Sequence, residues 1–185
     1  MGQLDSPLTE RGRRQADAIA ARLSTIDFST LYSSDLGRAL QTAKRISTAS
    51  GKPILQDIEL RERHMGIFQG LTRSEMRDQY PDEWEAYNSD ARFTYVIPTG
   101  ESQKHRLERS VRVMNRLADA HPEETIVVVS HGGILRGFFE YVLGLKPGNE
   151  DRFTRRNATF NSFAKDEGGW RLEVWGDTSH LIGIV

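Results

Sequence analysis

The chain has 185 residues, with 25 Lys and Arg against 26 Asp and Glu, and a formal net charge of −1. This balance argues against nucleic acid or an anionic membrane as a partner, and the absence of cysteine excludes disulfides, thiolate metal sites and cysteine nucleophiles. Neither a signal-peptide pattern nor an apolar run of membrane-spanning length is visible, so we expect a cytoplasmic protein with a single domain over residues 1–185.

Helix and strand signals alternate from the start of the chain. Thr9 is a typical N-cap residue, and an apolar stripe over residues 16–23 predicts a helix after it. Residues 28–32 form a short segment with aromatic and β-branched residues, which predicts a buried strand. The strand leads into a second predicted helix, whose apolar face lies over residues 36–46. Residues 53–58 predict a second strand.

The middle of the chain continues the alternation. Residues 72–88 have a helical pattern with a break at Pro81, and a stripe over residues 107–117 predicts a long amphipathic helix. Residues 125–129 are Thr followed by four β-branched aliphatic residues, which predicts a strand buried on both faces. Residues 134–143 predict a helix that ends at a glycine.

The last part of the chain predicts a β-hairpin, because residues 158–164 and 170–175 alternate around an Asp-Glu-Gly-Gly turn. Helices between buried strands predict an α/β fold, a three-layer sandwich with a mostly parallel central sheet flanked by helices. The basic stretches 104–112 and 152–156 contain acidic residues and lack stacking aromatics, which is a further argument against nucleic acid as a partner.

Two predicted strand-to-helix turns deliver charged or titratable side chains to the edge of the sheet where ligands bind in such folds. The first turn leads into a helix that carries Arg38, and the second places His131 at a strand tip before Gly132 and Gly133. A guanidinium, an imidazole and a glycine-rich helix N-terminus together suit a phosphate-sized anion. Taken singly, Arg38 also fits a solvated helix residue, and Glu62 fits an ordinary charged loop residue.

Several segments, in this order, resemble the histidine phosphatase superfamily, also called the phosphoglycerate mutase-like family. The matching motifs include Asp-Ser-Pro-Leu-Thr-Glu-Arg-Gly, Tyr-Ser-Ser-Asp-Leu-Gly-Arg-Ala and Ser-His-Gly-Gly. The similar segments as a whole are residues 5–16, 32–43, 60–71, 98–102, 130–133 and 177–181.

The resemblance implies hydrolysis through a phosphohistidine, without metal or cofactor. Arg38 and His131 would neutralise the phosphoryl oxygens, and Glu62 would protonate the leaving oxygen and then deprotonate water. The implied partners are a small phosphorylated metabolite or inorganic phosphate, and a homodimer is a further expectation. The residues that would complete the substrate- and phosphate-binding set are Gly2, Gln3, Gly132, Gly133 and Arg73.

One departure from the family pattern concerns the nucleophile, which lies in an Arg-His-Gly motif at the tip of the family's first strand. The 185 residues contain no such motif, and His131 matches the second catalytic histidine instead. We therefore expect that the first strand is missing and that the chain as given is inactive. A start codon assigned too late, a true pseudoenzyme and a deliberate truncation remain alternatives.

A missing interior strand should also leave a groove with unpaired backbone groups. A neighbouring segment, a partner chain or the apolar residues 181–185 are expected to fill it. The remaining histidines are expected to be structural or solvent-facing; they are His64, His105, His121 and His180.

The substrate class is argued from the residues around Glu62. Glu62-Arg63-His64 is mutase-like, but Met65 replaces the mutase aromatic, and Trp84 is not followed by the arginine pair of mutases. Gly133 stands where mutases have Asn and phosphatases commonly have Gly. A phosphomonoesterase of small metabolites is therefore favoured over a mutase, and a phosphate- or protein-binding module is the non-enzymatic alternative.

Overall fold

A parallel three-stranded sheet and a separate β-hairpin form the β structure of the computed structural model, which describes residues 2–146 and 156–184. The strands are β1 (Thr30–Ser33), β2 (Ile54–Gln56), β3 (Ile126–Val129), β4 (Phe160–Asp166) and β5 (Gly169–Asp177). The helices are α1 (Glu10–Leu23), α2 (Gly37–Ser50), α3 (Arg73–Gln79), α4 (Pro81–Asn88), α5 (Gln103–Ala120) and α6 (Gly132–Val142).

The sheet has the order β2-β1-β3, with both neighbours parallel to the central strand. Leu31 of β1 lies opposite Ile54 of β2 and Val127 of β3. Because parallel strands carry their carboxyl ends to one edge, the residues after β1 and β3 meet there. This edge receives Ser34 from one strand and His131 from the other.

Helices cover both faces of the sheet, which confirms the predicted α/β sandwich. On one face α1 and α2 bury Ile19, Leu23 and Ile46 against Leu31. On the other face α5 and α6 form a second apolar cluster. Its fully buried members are Leu60, Val113, Leu117, Ile134 and Phe138.

Several local predictions are confirmed residue by residue. The Thr9 side chain accepts a hydrogen bond from the Gly12 N–H at 3.1 Å and begins α1 as the N-cap. The break at Pro81 separates α3 from α4, since a proline cannot continue the α3 hydrogen-bond ladder. The hairpin forms as predicted, with β4 and β5 antiparallel.

Strand β3 differs from its prediction, because all four of its residues are half-buried and none is fully buried. Its second edge borders a cavity of about 2110 Å³ that lies between β3 and β4. This agrees with the groove expected from the sequence. Leu181, Ile182 and Ile184 line its wall without closing it, and Val185 lies outside the described residues.

The described part of the chain, residues 2–146 and 156–184, contains no helix long and apolar enough to cross a membrane. The basic stretch 104–112 lies on α5. Of the second basic stretch, residues 152–155 fall outside the described part.

Candidate active site

His131 lies directly after β3, at the N-cap of α6, and is only 7% exposed. Its Nε2 is 2.8 Å from the Ser34 hydroxyl oxygen, which comes from the end of β1. Burial, followed by the positive charge of Arg38, lowers the pKa of His131 to about 4. With this pKa the ring is neutral near pH 7.

Glu62 lies against the N-terminus of α6, and its carboxylate accepts two backbone hydrogen bonds. The Gly133 N–H donates to Oε2 at 2.9 Å, and the Arg63 N–H donates to Oε1 at 2.7 Å. A Cβ at position 133 would lie 2.1 Å from Glu62 Oε1. Only glycine at that position therefore lets the carboxylate approach the helix this closely.

Arg38 is the second residue of α2 and is held by the first residues of the described chain. Its Nη2 donates to the Gly2 carbonyl at 2.8 Å and its Nη1 to the Leu4 carbonyl at 2.9 Å. Asp5 in turn accepts the N–H of Gly37 at 2.7 Å, at the N-terminus of α2 where a carboxylate is favourable.

Gln3 connects the same segment to the loop of Glu62. Its Nε2 donates to the Glu62 carbonyl at 3.0 Å, and its backbone N–H donates to Gln69 Oε1 at 2.7 Å. The start of the described chain thus connects α2 to the acidic loop.

Two residues that sequence reasoning missed, Arg109 and Glu101, anchor the Glu62 loop. Arg109 Nη1 donates to the carbonyls of Glu59 and Arg61, each at 2.7 Å, and its guanidinium also pairs with Glu101. Glu101 Oε1 accepts the His64 N–H at 2.8 Å. No local pattern marks Arg109, because its acceptors lie about 50 residues earlier in the chain.

A bidentate ion pair fixes the other side of the loop. Arg61 Nε donates to Asp35 Oδ1 at 2.7 Å and Arg61 Nη2 to Oδ2 at 2.5 Å. The Arg61 guanidinium holds the pKa of the Asp35 carboxyl below its usual value. The turn after β1 and the loop of Glu62 are therefore joined at the same sheet edge.

The predicted site residues are brought together to different degrees. The large cavity is lined by Gly2, Arg38, Glu62, His131, Gly132 and Gly133. Gln3 instead lines a neighbouring cavity of about 280 Å³. Arg73 is exposed on the first turn of α3 and lines neither cavity, so the structure does not bring it to the other candidates.

The remaining histidines lie elsewhere. His121 Nε2 is 2.9 Å from the Tyr32 hydroxyl oxygen, and His180 Nε2 is 2.8 Å from the Ala158 carbonyl oxygen. His64 Nδ1 accepts the Gly66 N–H at 3.1 Å, and His105 is exposed on α5. Among residues 2–146 and 156–184, no three His, Asp or Glu side chains converge as ligands for a metal ion would.

The chemistry available at this edge is that of an anion site beside a proton donor and acceptor. A guanidinium, an imidazole and the N-terminus of α6 can hold phosphoryl oxygens, because each supplies N–H donors or positive charge. Glu62 contributes a carboxylate at the same place.

Comparisons with known proteins agree with this arrangement. The family profile of the histidine phosphatase superfamily (branch 1) matches residues 1–178. Phosphoglycerate mutase-like protein 4 of Arabidopsis thaliana is 38% identical over 183 residues, covering 97% of this chain and 78% of that protein. Metal-independent phosphoserine phosphatase of the same plant is 32% identical over 185 residues, covering 99% of this chain and 76% of that protein.

Solved structures give the same result at the level of the fold. Bacillus stearothermophilus YhfR superposes with a TM-score of 0.89 at 29% identity, over 98% of this chain and 90% of that one. Mycobacterial glucosyl-3-phosphoglycerate phosphatase in complex with inorganic phosphate gives a TM-score of 0.80 at 33% identity, over 97% and 92% of the two chains. The chain belongs to the histidine phosphatase superfamily.

Proposed function

We propose that this site serves the hydrolysis of small phosphate monoesters through a phosphohistidine intermediate. The observation that supports it is the proximity of Arg38 and Glu62 to His131, since the charges of both act on the pKa of that ring, together with the hydrogen bond from the N-terminus of α6 to Glu62. The relatives include phosphatases, such as the phosphoserine and glucosyl-3-phosphoglycerate phosphatases, and also proteins named phosphoglycerate mutase or mutase-like, so the choice of hydrolysis rests on the site itself. Gly133, which leaves room for the Glu62 carboxylate, favours the same choice.

The reaction divides into two displacements at phosphorus. A histidine nitrogen attacks the phosphoryl group, the bond to the ester oxygen breaks, and Glu62 donates a proton to that oxygen. Water then attacks the phosphohistidine, gives a proton to Glu62 and releases inorganic phosphate. Arg38 and the ring N–H of His131 stabilise the phosphoryl oxygens in both steps.

We further propose that the attacking histidine is not one of the five in these 185 residues. His131 occupies the position expected of the second histidine, and His64, His121 and His180 are held by the contacts described above. Residues 1–185 by themselves are therefore expected to bind phosphate and to turn over phosphate esters poorly.

The test compares residues 1–185 with a version extended by the in-frame residues encoded upstream of Met1. Hydrolysis of p-nitrophenyl phosphate and of an alkyl phosphate should appear only in the extended version. Glu62→Gln should slow the alkyl ester by about 100-fold or more, since general acid catalysis is worth that much for a poor leaving group. Rapid turnover by residues 1–185 that His131→Ala abolishes would contradict the assignment of the nucleophile.

A further inference from the structure

A buried cluster of three charges lies behind the candidate site. Arg106 of α5 and Arg136 and Glu140 of α6 are 4%, 6% and 4% exposed. Arg136 Nε lies 3.1 Å from Glu140 Oε1, whereas Arg106 Nη2 is 4.0 Å from Glu140 Oε2. Two guanidinium groups therefore lie close to one carboxylate in the protein interior.

Arg106 is the loosely paired member of this cluster. Its guanidinium approaches Glu140 only to 4.0 Å, and its Nε is buried without a hydrogen-bond partner among the described residues, as are Arg136 Nε and Glu140 Oε1. Burial, and then the charge of Arg136, lowers the pKa of Arg106. Burying a guanidinium in this way is costly, and a buried ion pair of this kind is weak evidence for a stabilising role.

The one short contact of Arg106 points toward the active site. Its Nη1 donates to the carbonyl of Gly133 at 2.5 Å. The N–H of that same glycine donates to Glu62 Oε2 at 2.9 Å. One residue, Gly133, therefore transmits the position of Arg106 to the carboxylate of Glu62.

The residue after Gly133 is held by a second buried hydrogen bond. Ser110, one turn further along α5, donates its hydroxyl to the Ile134 carbonyl at 2.6 Å. The first turn of α6 is thus held at two consecutive carbonyls by side chains of α5. The far side of Glu62 is held by the Arg63 N–H.

We propose that Arg106 is a positioning residue for Glu62. This inference rests on the proposed acid–base function of Glu62. Proton transfer requires the carboxylate to lie within hydrogen-bond distance of the leaving oxygen, and small displacements of such a group slow the reaction strongly. Arg106 acts through Gly133 and makes no contact with substrate.

Arg106→Met is the informative variant, because it leaves Arg136 and Glu140 as a charge-balanced pair. Met also retains an unbranched apolar side chain to fill the space. Arg106→Lys keeps the charge and a donor, and should restore part of the function. Arg112→Met is the matched control, since Arg112 lies on the same helix with 59% of its side chain exposed.

The first measurement is amide hydrogen exchange of Gly133 in residues 1–185, which needs no activity. We expect the Gly133 amide to exchange about tenfold faster or more in Arg106→Met, because without the Arg106 contact the local opening that exposes this amide costs less free energy. In Arg112→Met the amide should exchange at the rate of the parent protein. Unchanged protection of Gly133 in Arg106→Met would overturn the proposal.

The second measurement separates positioning from a merely structural role, and uses the version extended upstream of Met1. Arg106→Met should lower kcat/KM for an alkyl phosphate about 10- to 100-fold while changing kcat/KM for p-nitrophenyl phosphate less than about threefold. This ratio reports the step that forms the phosphohistidine, in which p-nitrophenolate leaves without a proton, whereas the attack of water, in which Glu62 is the base, is common to both esters. Equal losses of kcat/KM for both esters, or no loss for either, would overturn the proposal. If Gly133 protection falls but no version hydrolyses either ester, the proposed function fails while the contact from Arg106 to Gly133 stands.

Discussion

At the residue scale, His131 is the side chain whose environment changes its chemistry most. The sequence predicted its place between a strand and two glycines, and the structure has it there. Its low pKa was not predictable, because the burial of the ring and the approach of Arg38 depend on residues far away in the chain. The same limit explains why Arg109 was missed, since its acceptors lie about 50 residues earlier.

The buried imidazole predicts a specific dependence of stability on pH. Its pKa is about 4 in the folded protein, against an ordinary value of 6.5, so the unfolded state binds the proton more tightly. The contribution of this ring to the free energy of unfolding is complete above pH 6.5 and is lost as the pH falls to about 4, by about 3 kcal/mol in total.

This dependence can be measured by urea unfolding between pH 7 and pH 4. His131→Asn should remove the part of the pH-dependent loss of unfolding free energy that this ring causes. His105→Asn, at an exposed position, should lose stability with pH as the parent protein does. If the parent and His131→Asn lost stability in parallel over this range, the imidazole would not be buried in the neutral form.

At the element scale, helices were the most predictable part of the fold. The N-cap Thr9 and the apolar stripe of α1 gave the helix its observed start and its buried face, because both signals are local. Strands were harder, since the signal of residues 28–32 extends two residues before β1 begins. Phe28 is buried, but as a core residue before the strand. Burial alone therefore does not distinguish a strand from the segment leading into it.

The N-terminus of α6 offers a matched pair of substitutions. A Cβ at Gly133 would lie 2.1 Å from Glu62 Oε1, whereas a Cβ at Gly132 meets nothing within 4 Å. Gly133→Ala should therefore lower the free energy of unfolding by about 1–3 kcal/mol, as overpacking does. Gly132→Ala should leave it unchanged or raise it slightly, since alanine favours helix.

Thermal or urea unfolding of the two variants checks this expectation. In the extended version, Gly133→Ala should also slow hydrolysis of the alkyl phosphate, because the displaced carboxylate is the proposed acid. Equal effects of the two substitutions would mean that Glu62 does not lie against α6.

At the scale of the whole molecule, the described strands form two separate sheets, one with three strands and one with two. β3 pairs with β1, and the hairpin of β4 and β5 stands on the far side of the large cavity. The sequence predicted each strand, but their spatial order depends on contacts between segments more than 20 residues apart, which no local pattern encodes. The half-burial of β3 follows from this division, because its second edge faces the cavity.

The positive groups of the site are concentrated at one edge of a molecule whose net charge is −1. Arg38 from α2 and the N-terminus of α6 supply that local charge, and Glu62 is the nearby counter-charge. An anion is therefore attracted by the site and not by the molecule as a whole, and its binding should weaken as salt screens these charges.

The most direct test of the phosphate site is calorimetric titration of residues 1–185 with inorganic phosphate near pH 7. We predict binding that falls about tenfold or more in Arg38→Gln and in His131→Asn, since each removes a hydrogen bond to a charged ligand. Arg45→Gln is the matched control, because Arg45 lies on α2 with 49% of its side chain exposed and pairs with Asp17; it should bind as the parent does. Absence of binding, or equal losses in Arg38→Gln and Arg45→Gln, would contradict the assignment of this edge as a phosphate site.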